Sequence, residues 1–175
     1  DAGGFRIEVD QSVGNCPQYI QGREFTWVRD AADLQPRGTE ALTALDAEAQ
    51  ALIQRADTLF IATQAPAAAE GADVDTGRGA DVSHRGGRPG FVKIEDAHTF
   101  LVPDFTGNFF FMTLGNLQLN PRAGVLIIDF DSGDLLTLTG TAEVVWGGDA
   151  LQAFALLAVT VAFLSASFTS IRSSF

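Results

Sequence analysis

Apolar residues recur at spacings of three and four along residues 39–56, and this period predicts an amphipathic helix. We expect Thr39 to cap the first turn, because a threonine hydroxyl can accept a hydrogen bond from a first-turn amide. Glu40 would then suit the positive end of the helix dipole. The residues that would share the apolar face are Ala41, Leu42, Leu45, Ala49, Leu52, Ile53 and Ala56. The pattern predicts a packing helix, and no chemistry is assigned to it.

Short apolar or alternating runs follow one another through most of the remaining chain, and each is typical of a strand. Close turns separate them, such as the hairpin turn at residues 131–134. Many short strands with close turns favour an antiparallel barrel over a parallel α/β sheet. We therefore predict a mostly β fold with flanking helices. The predicted strands are 5–9, 57–64, 81–85, 91–95, 99–103, 108–112, 123–129 and 135–145, with a helical turn at 113–120.

The C-terminal stretch of residues 150–171 carries no charged side chain and is long enough to be considered as a membrane span. It contains several hydroxyl side chains, however, and it alternates partly like a strand from Val159 to Phe163. We therefore favour a helix that leads into a strand packed on the barrel or on a partner subunit. A membrane span is the alternative.

The charge balance of the chain limits its partners. The 175 residues suit one domain, and 22 acidic against 11 basic side chains give a formal net charge of −11. This balance argues against a nucleic-acid binder, which needs a broad basic face, and against adsorption to anionic membranes. The single cysteine, Cys16, cannot form an internal disulfide and is interpreted as a packing residue. These features favour a cytoplasmic protein.

Several common sites are excluded by their spacing. No G-x-G-x-x-G or phosphate-loop lysine motif is present, which argues against a nucleotide-binding domain of those types. Two histidines and one cysteine have no zinc-ligand spacing. Residues 129–134 only superficially resemble a calcium loop, since the glycine comes early and the closing glutamate is missing. We predict no metal site.

A basic, glycine-rich island interrupts this acidic chain at residues 78–93. It contains three arginines and one lysine, and its single acidic residue is Asp81. Arginine can form forked hydrogen bonds with a phosphate, and glycine lets backbone N–H groups approach it closely. The island is therefore a candidate anion site, with an ordinary solvated loop as the alternative.

The motifs that follow this island carry a family resemblance. They are DVSHRGG at 81–87, PGFV at 89–92, LVPDFTGN at 101–108, TLGNLQLNPRAGVLIIDF at 113–130 and GDLLTLTGTAEV at 133–144. In this order they resemble the flavin-binding segment of the pyridoxamine 5′-phosphate oxidase-like family, the FMN-binding split β-barrels. The resemblance implies an FMN cofactor and a homodimer with the flavin at the subunit interface. It also implies an FMN-dependent oxidoreductase, whose substrate is unknown.

The resemblance places flavin contacts on these motifs, and the side-chain chemistry suggests a role for each residue. Arg85, Arg122 and the Thr113 hydroxyl suit the phosphate, together with backbone N–H groups of Leu114 and Gly115 at the start of the helical turn. Asn108 and Asn116 offer amides for the ribityl chain or the pyrimidine edge. The residues expected near the ring are Ser83, His84 and Gly86. No catalytic acid or base is assigned.

One departure from the family pattern bears on FMN binding. Relatives commonly carry a basic residue shortly after the Gly-Asn pair, where this chain has Phe109, Phe110 and Phe111. If that basic residue holds phosphate, its loss weakens binding. Phenylalanine at these positions could instead pack on the ring or on the partner subunit.

A second motif, GNCPQYIQ at 14–21, resembles the connection between two successive split-barrel units in longer members of this family. We therefore divide the chain into an N-terminal extension or linker at 1–38, the tail of a preceding unit, and a split-barrel domain at 39–175. The same relatives suggest an electron-transfer partner domain. The alternative to an oxidoreductase is a non-catalytic flavin-binding module or a structural dimerisation module.

Overall fold

The computed structural model describes residues 6–9, 12, 14, 18–26, 38–66, 79–105, 111–147, 159–164 and 170–173, the last two segments by their backbone alone. These parts contain nine strands and two helices. In chain order the elements are β1 Thr39–Leu42, α1 Ala47–Arg55, β2 Thr58–Gln64, β3 Ala80–Gly86, β4 Lys93–Ile94, β5 Thr99–Asp104, α2 Met112–Leu119, β6 Arg122–Ile128, β7 Leu135–Val145, β8 Val159–Leu164 and β9 Ser170–Ser173. The predicted mostly β class with flanking helices is confirmed.

The prediction of one helix over residues 39–56 is wrong in its first half. Residues Thr39–Leu42 form β1, which pairs antiparallel with β9, so Thr39 lies opposite Ser173 and caps no helix. The helix begins after Asp46, whose Oδ1 accepts a hydrogen bond of 2.7 Å from the Ala49 amide. Pairing with a strand more than a hundred residues away overrides the local helical period, and a local window of sequence does not contain that information.

The strands between β2 and β7 lie close to their predicted positions, and α2 confirms the helical turn. The alternation from Val159 to Phe163 is confirmed by β8. Residues 6–9 form no strand, and Ile7 and Val9 are 72% and 70% exposed, so an alternating pattern alone is insufficient without a neighbouring strand. The strand predicted at 108–112 falls largely outside the described residues, and Met112 already belongs to α2.

The helix predicted ahead of β8 also falls outside the described residues. Within the described part of the chain, no helix has the length and apolar character required to cross a membrane.

All nine strands belong to one antiparallel sheet whose main path runs β3-β2-β6-β7-β8-β5-β4. The long strand β7 pairs with β6 on one side and divides its other side between two partners. Leu135–Thr137 pair with β9, whereas Thr141–Val145 pair with β8. The sheet therefore separates into two branches at β7. At the other end of the path, β3 forms an edge in the described structure.

The apolar core lies between the sheet and the two helices. Its fully buried members come from α1, α2 and alternating positions of β2, β5, β6 and β7: Ile53, Leu59, Ile61, Phe100, Val102, Leu114, Val125, Ile127, Leu136 and Leu138. Burying one such side chain stabilises the fold by about 1.5–3 kcal/mol relative to leaving it exposed. This core packs α1 and α2 against β2, β5, β6 and β7.

We expect Asp46→Ala to lower the free energy of unfolding by about 1 kcal/mol, because the Ala49 amide loses its acceptor. Thr39→Ala should change it by less than about 0.5 kcal/mol, since Thr39 is an exposed strand residue here. Urea denaturation of both variants measures the difference. A larger loss for Thr39→Ala would contradict the observed helix boundary and support the longer helix.

Candidate functional site

Strand β3 turns a row of polar side chains toward the interior. Successive side chains of a strand alternate between its faces, so Asp81, Ser83 and Arg85 share one face. Asp81 and Ser83 are each only 4% exposed, and the Arg85 side chain is 11% exposed. Polar groups at this depth require hydrogen-bond partners, and the neighbouring elements supply them.

The Asp81 carboxylate joins β3 to α2. Its Oδ2 accepts a hydrogen bond of 2.8 Å from the Ser83 hydroxyl and another of 2.8 Å from the Thr113 hydroxyl. Thr113 lies in the first turn of α2 and is almost fully buried. The two hydroxyl groups predicted to contact a ligand therefore donate to a carboxylate of the protein itself.

One turn further along α2, Asn116 is also used inside the fold. Its Nδ2 donates to the Thr63 hydroxyl at 3.2 Å and to the Gly79 carbonyl at 3.3 Å. The Leu114 side chain belongs to the apolar core, so only its backbone N–H remains a candidate for ligand contact.

The amides at the start of α2 divide into two groups. The Gly115 N–H donates to the Phe111 carbonyl at 2.7 Å. It is therefore part of the helical hydrogen-bond ladder, and the expectation that it faces an anion is wrong. The N–H groups of Met112, Thr113 and Leu114 precede that ladder, as the first amides of any helix do.

An ion pair bridges β3 to β5. The Arg85 Nε lies 3.2 Å from Asp104 Oδ1, and Arg85 Nη1 donates to the His84 carbonyl at 3.0 Å. Burial raises the pKa of Asp104, and the neighbouring Arg85 guanidinium partly opposes that rise. Arg85 is thus held at the gap between two strands that are not paired in the described sheet.

His84 lies beside this ion pair and faces a small cavity. The cavity is lined by Gln18, Tyr19, His84, Arg85, Gly86, Pro103, Asp104 and Phe105. Among the described residues, His84 Nε2 is buried without a hydrogen-bond partner. Burial lowers the pKa of His84, Arg85 lowers it further, and Asp57 acts in the opposite direction. His84 thus combines a lowered pKa with one buried ring nitrogen that has no partner in the described structure.

A larger open cleft of about 910 Å³ adjoins this cavity. Tyr19 and Phe105 line both spaces, and their ring centroids lie 5.3 Å apart. The other lining residues are Gln21, Asp57, Gly87, Arg88, Pro89, Gly90 and Phe91. Gly90 has φ +84°, a conformation that favours glycine and shapes this loop. The cleft combines aromatic walls with one arginine and one aspartate, which suits a flat ligand with apolar faces and a polar edge.

Arg122 lies elsewhere, at the start of β6. It lines a shallow groove of about 350 Å³, together with Thr63, Asp81 and Asn120. The backbone N–H of Arg122 is bonded to the Asn120 side chain at 3.2 Å. The groove thus borders the buried Asp81 cluster and is distinct from the aromatic cleft.

The predicted site residues therefore fall into neighbouring groups along β3. His84, Arg85 and Gly86 share the cavity with Tyr19 and Phe105. The other group, tied together through Asp81 and Thr63, contains Ser83, Thr113, Leu114 and Asn116, with Arg122 at its border. Ser83 and Gly86 are three residues apart on one strand, a separation of about 10 Å. Asn108 lies outside the described residues.

Sequence reasoning missed several residues of this region. Asp81 could have been found, because strand alternation puts it on the same face as Ser83 and Arg85. Asp104 lies in a predicted motif, but only the structure pairs it with Arg85. Tyr19 is far from the other residues in sequence and belongs to a segment predicted as linker, so no local signal identified it.

The sequence matches no protein-family model and no curated protein. A variant of the Group A Streptococcus protein HupZ aligns with a TM-score of 0.51 and 16% identity, over 72% of this chain and 98% of that one. The FAD-binding protein of Mycobacterium smegmatis aligns with a TM-score of 0.50 and 18% identity, over 77% and 100%.

A Lactobacillus delbrueckii protein provisionally assigned as a pyridoxamine 5′-phosphate oxidase aligns with a TM-score of 0.50 and 16% identity, over 74% of this chain and 98% of that one. At these identities the likeness concerns the fold alone. The chain has the split-barrel fold of the pyridoxamine 5′-phosphate oxidase-like proteins.

Proposed function

We propose that this chain is an FMN-binding flavoprotein that acts as an FMN-dependent oxidoreductase, with the cofactor lying along β3. The observation that carries the proposal is the buried, unpartnered Nε2 of His84, a residue that lines a cavity together with Arg85 and the aromatic side chains Tyr19 and Phe105. A buried polar atom without a partner among the described residues is a natural contact for a ligand. The shared fold with an FAD-binding protein supports a flavin.

The aromatic cleft fits the ring end of a flavin. Isoalloxazine has two apolar faces and a hydrogen-bonding edge, so it requires flat walls and a few polar groups. Tyr19, Phe91 and Phe105 supply apolar walls, and His84 Nε2 supplies a neutral hydrogen-bonding group. Gly86 and Gly87 add backbone without side-chain bulk. These residues would hold and orient the ring and exclude water from it.

Near the other end of β3, backbone amides of α2 are better suited to bind a phosphate than the side chains are. The amides of Thr113 and Leu114 precede the helical ladder of α2, where an anion is favoured by the helix dipole. Ser83 and Thr113 donate their hydroxyls to Asp81, so the carboxylate competes with a phosphate for both. We therefore assign the phosphate to these amides, with Arg122, which lines the groove beside Asp81, as the candidate cation.

When bound, the flavin supplies the redox chemistry by accepting or passing hydride or electrons. The protein supplies position, electrostatics and shelter from water. Arg85 is fixed by Asp104 and would hold a positive charge beside the ring without moving. No protein residue is assigned as an acid or a base. The substrate and the electron-transfer partner domain remain predictions, as does a cytoplasmic location.

We further propose a homodimer with the flavin at the subunit interface. Three apolar side chains are exposed around β3 and α2: Val82 at 59%, Phe111 at 54% and Leu119 at 59%. Val82 lies on the edge strand, and Phe111 and Leu119 lie at the two ends of α2. A second copy would cover these side chains, and light scattering of the purified protein measures the resulting mass.

A second candidate is a module that binds flavin without catalysis, or a structural dimerisation module. The specific observation in its favour is that Ser83, Thr113 and Asn116 are already satisfied by other protein groups. A fold whose polar groups are internally paired is stable without a ligand. This candidate differs from the first in its redox behaviour.

The absorption spectrum of the purified protein separates the two candidates. A flavin band that bleaches on addition of NAD(P)H supports the oxidoreductase. A flavin band that resists every reductant supports the non-catalytic carrier. Protein that is colourless and does not bind added FMN would overturn flavin binding and support the structural module.

We expect Asp81→Asn to tighten FMN binding by about three- to tenfold, the effect of roughly 1 kcal/mol, because it removes a carboxylate beside the proposed phosphate. Riboflavin, which lacks the phosphate, should bind with unchanged affinity. Glu143→Gln is the matched control, since it changes net charge equally at an exposed position of β7. Titration calorimetry measures all three proteins. Equal tightening of FMN and riboflavin would contradict this assignment of the phosphate.

Riboflavin affinity should depend on pH through His84. Its pKa is lowered from 6.5, so the imidazole stays neutral above pH 6.5 and gains a proton only at lower pH. Protonation would then place a second positive charge beside Arg85, and the repulsion would weaken riboflavin binding in this cavity. Affinity should be constant above pH 6.5 and fall below it, and His84→Gln should remove the fall. Quenching of riboflavin fluorescence measures this dependence, and an unchanged fall in His84→Gln would refute the role of His84.

A further inference from the structure

We propose that residues 18–23 form a strap across the mouth of the aromatic cleft, and that Tyr19 on this strap is a binding residue for the flat ring of the ligand. The sequence motif here was predicted to be part of a linker, but its side chains contact the barrel at two separate places. The proposed ligand class is a planar aromatic heterocycle with apolar faces and a polar edge. Its identity as a flavin rests on the proposed function.

One end of the strap is anchored by Arg23. Its guanidinium forms an ion pair with Asp57, and the side chains of both residues are about 70% buried, with exposures of 31% and 27%. The same guanidinium lies 3.7 Å from the ring centroid of Phe130, within the range of a cation–π contact. Asp57 precedes β2 and Phe130 follows β6, so Arg23 clamps the strap to two neighbouring parts of the sheet.

The other end of the strap is seated on Gly86 and Phe105. The Tyr19 ring packs on Phe105 at a centroid distance of 5.3 Å with a tilt of 40°. A Cβ at position 86 would lie 2.4 Å from the Tyr19 carbonyl oxygen, so the strap can approach only because residue 86 is glycine. Gly86 at the end of β3 thus has a function in seating the strap, in addition to any contact with a ligand.

Tyr19 is also held in an unusual backbone conformation. Its φ is +67°, in the left-handed region that residues other than glycine seldom adopt. A strained backbone conformation of this kind persists only where surrounding contacts hold it, and it is concentrated at functional sites. Here the contacts of Arg23 and the close approach of Tyr19 to Gly86 hold it. The result is that the tyrosine ring stands between the His84 cavity and the larger cleft.

This position makes Tyr19, together with Phe105, an aromatic wall shared by both spaces. The loop of residues 87–90 and Phe91 line the cleft, and His84, with its unpartnered Nε2, lines the adjoining cavity. A ring bound here would meet apolar side chains on its faces and a nitrogen at its edge. Aromatic side chains can stack on many different ring systems. The strap would therefore determine the class of ligand, and His84 would determine the orientation of the bound ring.

The first test replaces the aromatic wall. Tyr19→Ala should weaken FMN binding by about tenfold or more, whereas Tyr19→Phe, which keeps the ring, should stay within about threefold of the wild type. Phe25→Ala is the matched control, because it removes an aromatic ring that lies two residues beyond the strap and is 80% exposed. Fluorescence quenching of FMN measures all four proteins. Equal affinities of Tyr19→Ala and Phe25→Ala would overturn the binding role.

The second test releases the strap at its anchor. Arg23→Gln removes the ion pair and the cation–π contact, and Arg23 itself does not line the cleft, although its partner Asp57 does. If Arg23 acts by positioning Tyr19, the double variant with Tyr19→Ala should bind FMN no more weakly than Tyr19→Ala alone. Arg23→Lys should restore part of the affinity. Strictly additive losses would show that Arg23 does not act through Tyr19.

A third readout does not require FMN to bind. Hydrogen exchange of the amides of residues 18–23, followed by mass spectrometry, should become faster in Arg23→Gln than in the wild type or in Phe25→Ala. Unchanged exchange would overturn the strap. If the wild type binds no FMN and exchange still becomes faster, the strap stands and the proposed function fails. If FMN binds and neither exchange nor affinity responds to these variants, the strap fails and the proposed function stands.

Discussion

The polar row on the inner face of β3 is the constraint on which the rest of the structure depends. Asp81, Ser83 and Arg85 lie inside the barrel, where an unpaired polar group is costly. Their partners come from elements distant in sequence: Thr113 on α2 and Asp104 on β5. The hydrogen bonds and the ion pair made by these three side chains therefore hold both α2 and β5 against β3. It also places an arginine at the gap between β3 and β5, where no backbone pairing is seen in the described sheet.

The same constraint decides which groups remain for a ligand. Alternation turns His84 away from the row, and its Nε2 has no partner in the described structure. The hydroxyls of Ser83 and Thr113 are occupied by Asp81, so they stabilise the fold and are poorly suited to hold a phosphate. Ligand binding at this strand thus depends on backbone amides, on fixed arginines and on aromatic walls. The proposed cofactor position follows from this division between the two faces of β3.

The sequence was informative wherever a structural feature is local. Strands β2, β3, β5, β6 and β7 followed from apolar runs and alternation, and the helical turn predicted at 113–120 matches α2. The start of α1 did not, because β1 is created by pairing with β9 at the far end of the described chain. The alternation at residues 6–9 failed for the opposite reason, since no described strand pairs with it.

The candidate site shows the same limit. The family motifs brought attention to β3 and α2, and His84, Arg85 and Gly86 do share a cavity. The resemblance of these motifs to the family could not reveal that Ser83 and Thr113 are hydrogen-bonded to Asp81, because that geometry requires β3 and α2 to be packed together. Tyr19 was beyond prediction, because it contacts Phe105, which lies 86 residues further along the chain.

The most direct test of the account is a titration of isotope-labelled protein with FMN, followed by the backbone amide resonances. Binding along β3 predicts that the amides of Ser83, His84, Arg85 and Gly86 shift together with those of Thr113 and Leu114, at one common dissociation constant. Amides of β1, which pairs with β9 and not with β3, should not shift. Shifts that are confined to β1 and β4, or that are absent from residues 83–86, would contradict it.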